Sequence, residues 1–137
     1  MVSIRNASAA VAAALALAAC SYMPWGDSLS LSGAEEVPPV STSASGKGRI
    51  KVAEDGSVSG SVTTTGMQGT MAHIHQGAKG QNGPVVVPLD KNGDTYSVPA
   101  GRKLTDAQMQ AYRAGNLYVN VHSAAHKGGE VRAQLRP

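Results

Sequence analysis

The chain has 137 residues, and its 12 Lys and Arg against 9 Asp and Glu leave a formal charge of +3; that length suits one domain. Phe is absent and aromatics make up 4%, so a core must come from Val, Leu, Ile, Met and Ala. The 16 Gly, 7 Pro and frequent Ser and Thr argue against a helical bundle. Lys47, Arg49, Lys51, Lys79 and Lys91 are spread along the chain, with no basic run interleaved with aromatics, which argues against nucleic acid as a partner.

The first twenty residues stand outside the expected fold. Arg5 gives a positive start, and residues 9–19 are an Ala, Val and Leu run too short to span a membrane. The run ends in Leu17-Ala18-Ala19-Cys20, which resembles the cleavage signal of bacterial lipoproteins; an ordinary secretory signal with a chance cysteine is the alternative. The resemblance implies removal of residues 1–19, lipidation of Cys20, and a product anchored to a membrane without crossing it. Ser21 after the cysteine resembles lipoproteins sent to the outer membrane, so the expected location is the bacterial cell envelope, facing the periplasm or the cell surface. Cys20 is the only cysteine, so the mature chain forms no internal disulfide.

Residues 20–26 (CSYMPWG) read as a tether, and the domain proper is expected over 27–137. Leu alternates with polar residues over 27–31, a first strand. Pro38 and Pro39 cannot donate to a ladder, so residues 33–40 form an edge segment or loop. Residues 47–52 and 57–65 alternate around Glu54-Asp55-Gly56, a hairpin signal. Further strands follow at 70–76, 84–89 and 95–98, with Gly77 to Gly83 as a loop and Lys91 to Asp94 as a turn. Thr105-Asp106-Ala107-Gln108 matches a capping box, Leu104 and Met109 a hydrophobic staple, and Gly115 a stop, so one helix is predicted. Strands at 117–122 and 130–135 complete the chain. Eight short strands with one helix in a connection predict an all-β fold, a Greek-key sandwich or barrel.

The chemistry sits in Met71-Ala72-His73-Ile74-His75-Gln76-Gly77. His73 and His75 alternate with apolar residues, so they share one face of a strand at roughly 7 Å spacing, within reach of one ion. The other two of the four histidines, His122 and His126, lie together near the C-terminus; if the two segments are neighbours, all four can meet. A polar face packed on water or on Tyr118 is the plainer reading of the pair. No hydrolase constellation competes: Ser123 beside His122 points the other way on a strand, and Glu35 and Glu36 are adjacent in a proline-bound segment.

Leu31 to Val40, Ala72 to Gly77, Gly83 to Val86, and Leu117-Tyr118-Val119-Asn120-Val121-His122-Ser123 through Gly129-Glu130-Val131-Arg132 together resemble the CHRD domain, found in chordin and in bacterial secreted proteins. Glu35 departs from that pattern, which usually has Gln there. A weaker similarity is to the copper site of copper-zinc superoxide dismutase, a Greek-key barrel with a His-x-His strand pair. It implies the same type of fold here, with His73 and His75 as that pair and His122 as a third ligand. The disulfide and the zinc loop of those enzymes have no counterpart, so only a copper-only variant fits the similarity.

Candidate metal ligands are therefore His73, His75, His122 and His126, with Met71 as a possible thioether ligand. Imidazole ligation favours copper, with zinc as the alternative. Asn120, Glu130 and Gln134 are candidate partners for the ring N–H groups. Arg132, or else Arg136 or Lys127, is the candidate cation for attracting an anion. Three functions are open: a redox protein of superoxide dismutase type, a non-catalytic copper or zinc carrier, or a metal-free interaction module.

Overall fold

The structure, a computed structural model, describes residues 26–137. The expected signal peptide, Cys20 and the tether up to Trp25 lie outside the described residues. Among the described residues there are nine strands: β1 (Ser28–Ser32), β2 (Ser45–Val52), β3 (Val58–Thr65), β4 (Gly69–Gln76), β5 (Val85–Pro88), β6 (Asp90–Asn92), β7 (Thr95–Ser97), β8 (Leu117–Ser123) and β9 (Val131–Gln134). The helix α1 (Asp106–Arg113) connects β7 to β8. Thr105 accepts from the Gln108 N–H at 3.2 Å and the Gln108 side chain accepts from the Thr105 N–H at 2.9 Å, so the capping box forms as expected. No helix among the described residues is long and apolar enough to cross a membrane.

The strands make one antiparallel sheet in the order β5-β4-β8-β9-β1-β2-β3-β7-β6. Its two edges, β5 and β6, are separated in sequence by Leu89 alone. The chain thus steps from one edge to the other, with the Leu89 N–H bonded to the Ala72 carbonyl at 3.0 Å, and curls the sheet into a nearly closed barrel. β6 overlaps the segment from Lys91 to Asp94 that the sequence predicts as a turn. Its three residues are exposed, so no apolar alternation marks them, and they pair with β7 only because Gly93 and Asp94 close a hairpin.

Leu29, Leu31, Ile50, Val62, Tyr96, Ile74, Val119, Val121 and Val131 fill the barrel as one core cluster. All strands and the core among the described residues lie within residues 28–135, so a chain beginning at Gly26 carries every described element of the barrel. Tyr96 is fully buried, and it fits only because Gly69 has no side chain: a Cβ at Gly69 would collide with the Tyr96 hydroxyl and Val121. Gly69→Ala is expected to cost about 1–3 kcal/mol through this overpacking. A denaturant midpoint equal to wild type would show that the ring has room to retreat.

β8 is buried at all seven positions. Its inner residues Leu117, Val119 and Val121 belong to the core. Its outer residues Tyr118, Asn120 and His122 are buried too, because the segments around 33–44, 77–84 and 124–130 fold over the outside of β4, β8 and β9. A polar layer is thereby enclosed between sheet and loops.

Candidate metal centre

Alternation on β4 sends Ala72 and Ile74 into the core and Met71, His73 and His75 to the outside. The register with β8 sets Met71 opposite His122, His73 opposite Asn120, and His75 opposite Tyr118. β9 extends the same face, with Arg132 opposite Asn120 and Gln134 opposite Tyr118. One nitrogen from each of His73, His75 and His122 falls within 4.8 Å of the others, the group among the described residues that could hold a metal ion. A metal–nitrogen length of about 2.0–2.1 Å needs ligand nitrogens roughly 3.5 Å apart, so small ring rotations close the site.

Hydrogen bonds assign the ring protons. His75 Nδ1 lies 3.0 Å from the Gly83 carbonyl, and His122 Nδ1 lies 2.8 Å from the Lys127 carbonyl. A carbonyl only accepts, so both Nδ1 atoms carry the proton and both Nε2 atoms present a lone pair. His73 Nδ1 sits 3.1 Å from His122 Nε2 and donates to it. Moving that proton to His73 Nε2 frees a third lone pair without changing the charge. His75 Nε2 is buried with no hydrogen-bond partner, as is Asn120 Oδ1 beside it; an orphaned buried nitrogen costs free energy that an ion would recover. These residues fit a metal.

Burial is the main cause that holds His73 below the ordinary imidazole pKa, with His122 and His75 adding to it. Burial likewise dominates the lowering at His75, against the bond to Gly83. Both rings are therefore neutral at pH 7 and ready to bind. Their contribution to stability is full above the ordinary value of about 6.5 and is lost as pH falls toward their folded values.

His75 is held from below as well. Tyr118 stacks on it at 4.8 Å and 5° between planes, and Arg132 lies 3.4 Å above the far face of Tyr118. The Tyr118 hydroxyl accepts from the Gly83 N–H at 3.1 Å. Arg132, 1% exposed, donates to the carbonyls of Gln81 at 2.9 Å and Ala78 at 3.1 Å, and more weakly to Asn82 and Gln134. Arg132 is thus a clamp on the 77–83 loop. Arg132, the candidate cation for attracting an anion, is therefore placed within the enclosed layer, bonded to that loop. Lys127 and Arg136 are exposed.

The remaining expected residues take other places. His126 does not join the cluster. Its turn instead supports His122, since the Ser123 hydroxyl accepts from the His126 N–H and the next carbonyl, that of Lys127, accepts from His122. The His126 side chain lines a surface depression with Val37, Pro38 and Asn82. Gln134 bonds the Gly77 and Gly115 carbonyls at 2.8 Å each, and Glu130 accepts from Thr42 at 2.8 Å. The partners of the His75 and His122 ring N–H groups are thus backbone carbonyls, which no sequence pattern distinguishes. Met71 is 50% exposed beside His122, and His73 is partly exposed, so the centre opens to solvent on that side.

Glu36 was not singled out, yet it is enclosed in the same layer. Its carboxylate and the Asn120 amide crowd the Cα of Gly129, whose φ of +122° and lack of a side chain the site requires. Burial pushes its carboxyl from 4.5 up to about 7, against the opposing pull of Asn120 and Arg132. The fold therefore favours the neutral acid: stability from this group is full below about 4.5 and is lost as pH rises through 7, opposite in sense to the histidines. Glu36→Gln is expected to raise metal-free stability at pH 8 by about 1–2 kcal/mol, after allowance for solvent screening, and to leave it unchanged at pH 4. Equal effects at both pH values in denaturant titrations would refute this.

No curated protein and no solved structure gives a significant match to this chain. The family model of the CHRD domain, in contrast, matches residues 28–135, a span that takes in every strand and all three clustered histidines. The chain belongs to the CHRD-domain family.

Proposed function

We propose that this protein is an extracytoplasmic copper-binding lipoprotein, anchored through Cys20 to the outer membrane and holding its ion on His73, His75 and His122. The observation that carries the reading is the convergence of His73, His75 and His122, one nitrogen of each within 4.8 Å of the others, beside a buried His75 Nε2 that has no hydrogen-bond partner. An all-nitrogen set ranks copper above zinc among divalent ions. The partly exposed side at His73 and Met71 would give a small molecule access to an ion held there, as a redox role of superoxide dismutase type requires. Copper there would supply one-electron exchange. The chain supplies orientation through the Gly83 and Lys127 carbonyls and a dry wall through Tyr118 and Arg132.

A non-catalytic carrier is the second reading, favoured by Met71, an exposed thioether opposite His122 that suits Cu(I). Copper and zinc titration of the purified domain, followed by a superoxide assay of the loaded protein, tests both. Stoichiometric copper binding with turnover supports the first. Binding without turnover, weakened by Met71→Leu, supports the second. Failure to bind either metal tightly overturns both.

A further inference from the structure

We propose that the exposed face of β2, with its flanks on β1 and β3, is a docking surface for the phosphate groups of an anionic lipid membrane. The reading rests on the lipid anchor of the proposed function and is independent of the metal. In the sequence Lys47, Arg49 and Lys51 look like scattered charges. In the barrel they occupy alternate positions of one strand and share its outer face, at about 7 Å spacing. Across the ladders Lys47 stands between Ser30 and Thr63, Arg49 between Ser28 and Ser61, and Lys51 beside Ser59. The shallow depression there is lined by these cations and hydroxyls, and no Asp or Glu is among the described residues lining it. Cations with hydroxyl donors around them suit phosphate oxygens.

The chain itself indicates which surface this face meets. Arg49 Nη1 donates to the Gly26 carbonyl at 3.1 Å, so the polypeptide enters the fold at the edge of the basic face. Five residues lie between Gly26 and the expected lipid-bearing terminus at Cys20, six peptide steps with a reach of at most about 20 Å. A lipid at Cys20 would therefore hold this face, and not the metal centre on β4 and β8, against the bilayer. Tethering raises the local concentration of headgroups, so a weak electrostatic contact suffices to orient the domain.

The test uses the domain from Gly26, which lacks the lipid and so reads the face alone. It is mixed with phosphatidylcholine vesicles with and without phosphatidylglycerol, and co-sedimentation is measured against salt. The expected result is binding only to the anionic vesicles, lost on raising salt, and weakened about 100-fold by Lys47→Gln/Arg49→Gln/Lys51→Gln at about fivefold per cation. Lys91→Gln/Arg102→Gln, on exposed cations elsewhere, is expected to bind nearly as wild type. If the triple variant fails to fold, Lys47→Gln alone should still weaken binding about fivefold. Absence of binding to anionic vesicles, or equal loss in both sets of variants, overturns the proposal. Copper titration of the same samples, and mass analysis of Cys20 in the membrane-bound full-length protein, report separately on the metal and the anchor.

Discussion

His75→Ala is expected to abolish stoichiometric copper binding, with affinity falling more than the 10–100-fold typical of losing a ligand's hydrogen-bond partner. The ring it removes is the one with the orphaned Nε2, enclosed between Tyr118 and the other two imidazoles. His126→Ala is expected to leave copper affinity within about twofold, because only the backbone of that turn reaches the centre. The comparison of the two alanine variants by copper titration is decisive. Equal losses would mean that His126 swings into the site, and no loss at His75 would mean that the metal lies elsewhere. Metal should also stabilise the wild type, by about 2.7 kcal/mol at a free concentration one hundred times Kd, and should leave His75→Ala unmoved.

Arg132→Ala is expected to destabilise the protein by about 3–5 kcal/mol. It leaves the Ala78 and Gln81 carbonyls without their buried donor, opens a void over Tyr118, and removes the one cation set near Glu36 in the enclosed layer. The consequence reaches the metal. The loop freed by the substitution includes Gly83, whose carbonyl orients His75, so copper affinity should fall by about 10–100-fold in the fraction that still folds. Arg132→Lys keeps the charge but cannot span several carbonyls while stacked on a ring, and its midpoint should lie between the two. Wild-type stability in Arg132→Ala, read by denaturant unfolding, would remove the clamp from this account. Wild-type copper affinity with lowered stability would separate the loop from the metal centre.

Much of the fold is legible because local rules and the tertiary structure agree. The alternating runs at β2, β3, β4 and β8 became strands, and the Thr105–Gln108 capping box became the start of α1, since each depends on neighbours within a few residues. β6 was not legible, because an exposed strand has no apolar period and exists only through pairing with β7. The pairing of His73 and His75 on one face is likewise a local fact of strand geometry. Their meeting with His122 depends on the β4–β8 register, to which residues about fifty positions apart contribute.

The strand periods, the helix cap, the His-x-His pair and the family blocks are set by spacing along one segment, so they can be read from the residues alone. What lies over the outer face of β8 depends on how distant segments fold together. The loops that cover it make Arg132 a buried clamp, make Tyr118 the platform under His75, and lift the carboxyl of Glu36 to about 7. The same folding leaves the His126 ring outside the cluster and lines up Lys47, Arg49 and Lys51 on the outer face of β2. Burial is a property of what the rest of the chain places against a residue, and a side chain's charge, reach and partners follow from burial.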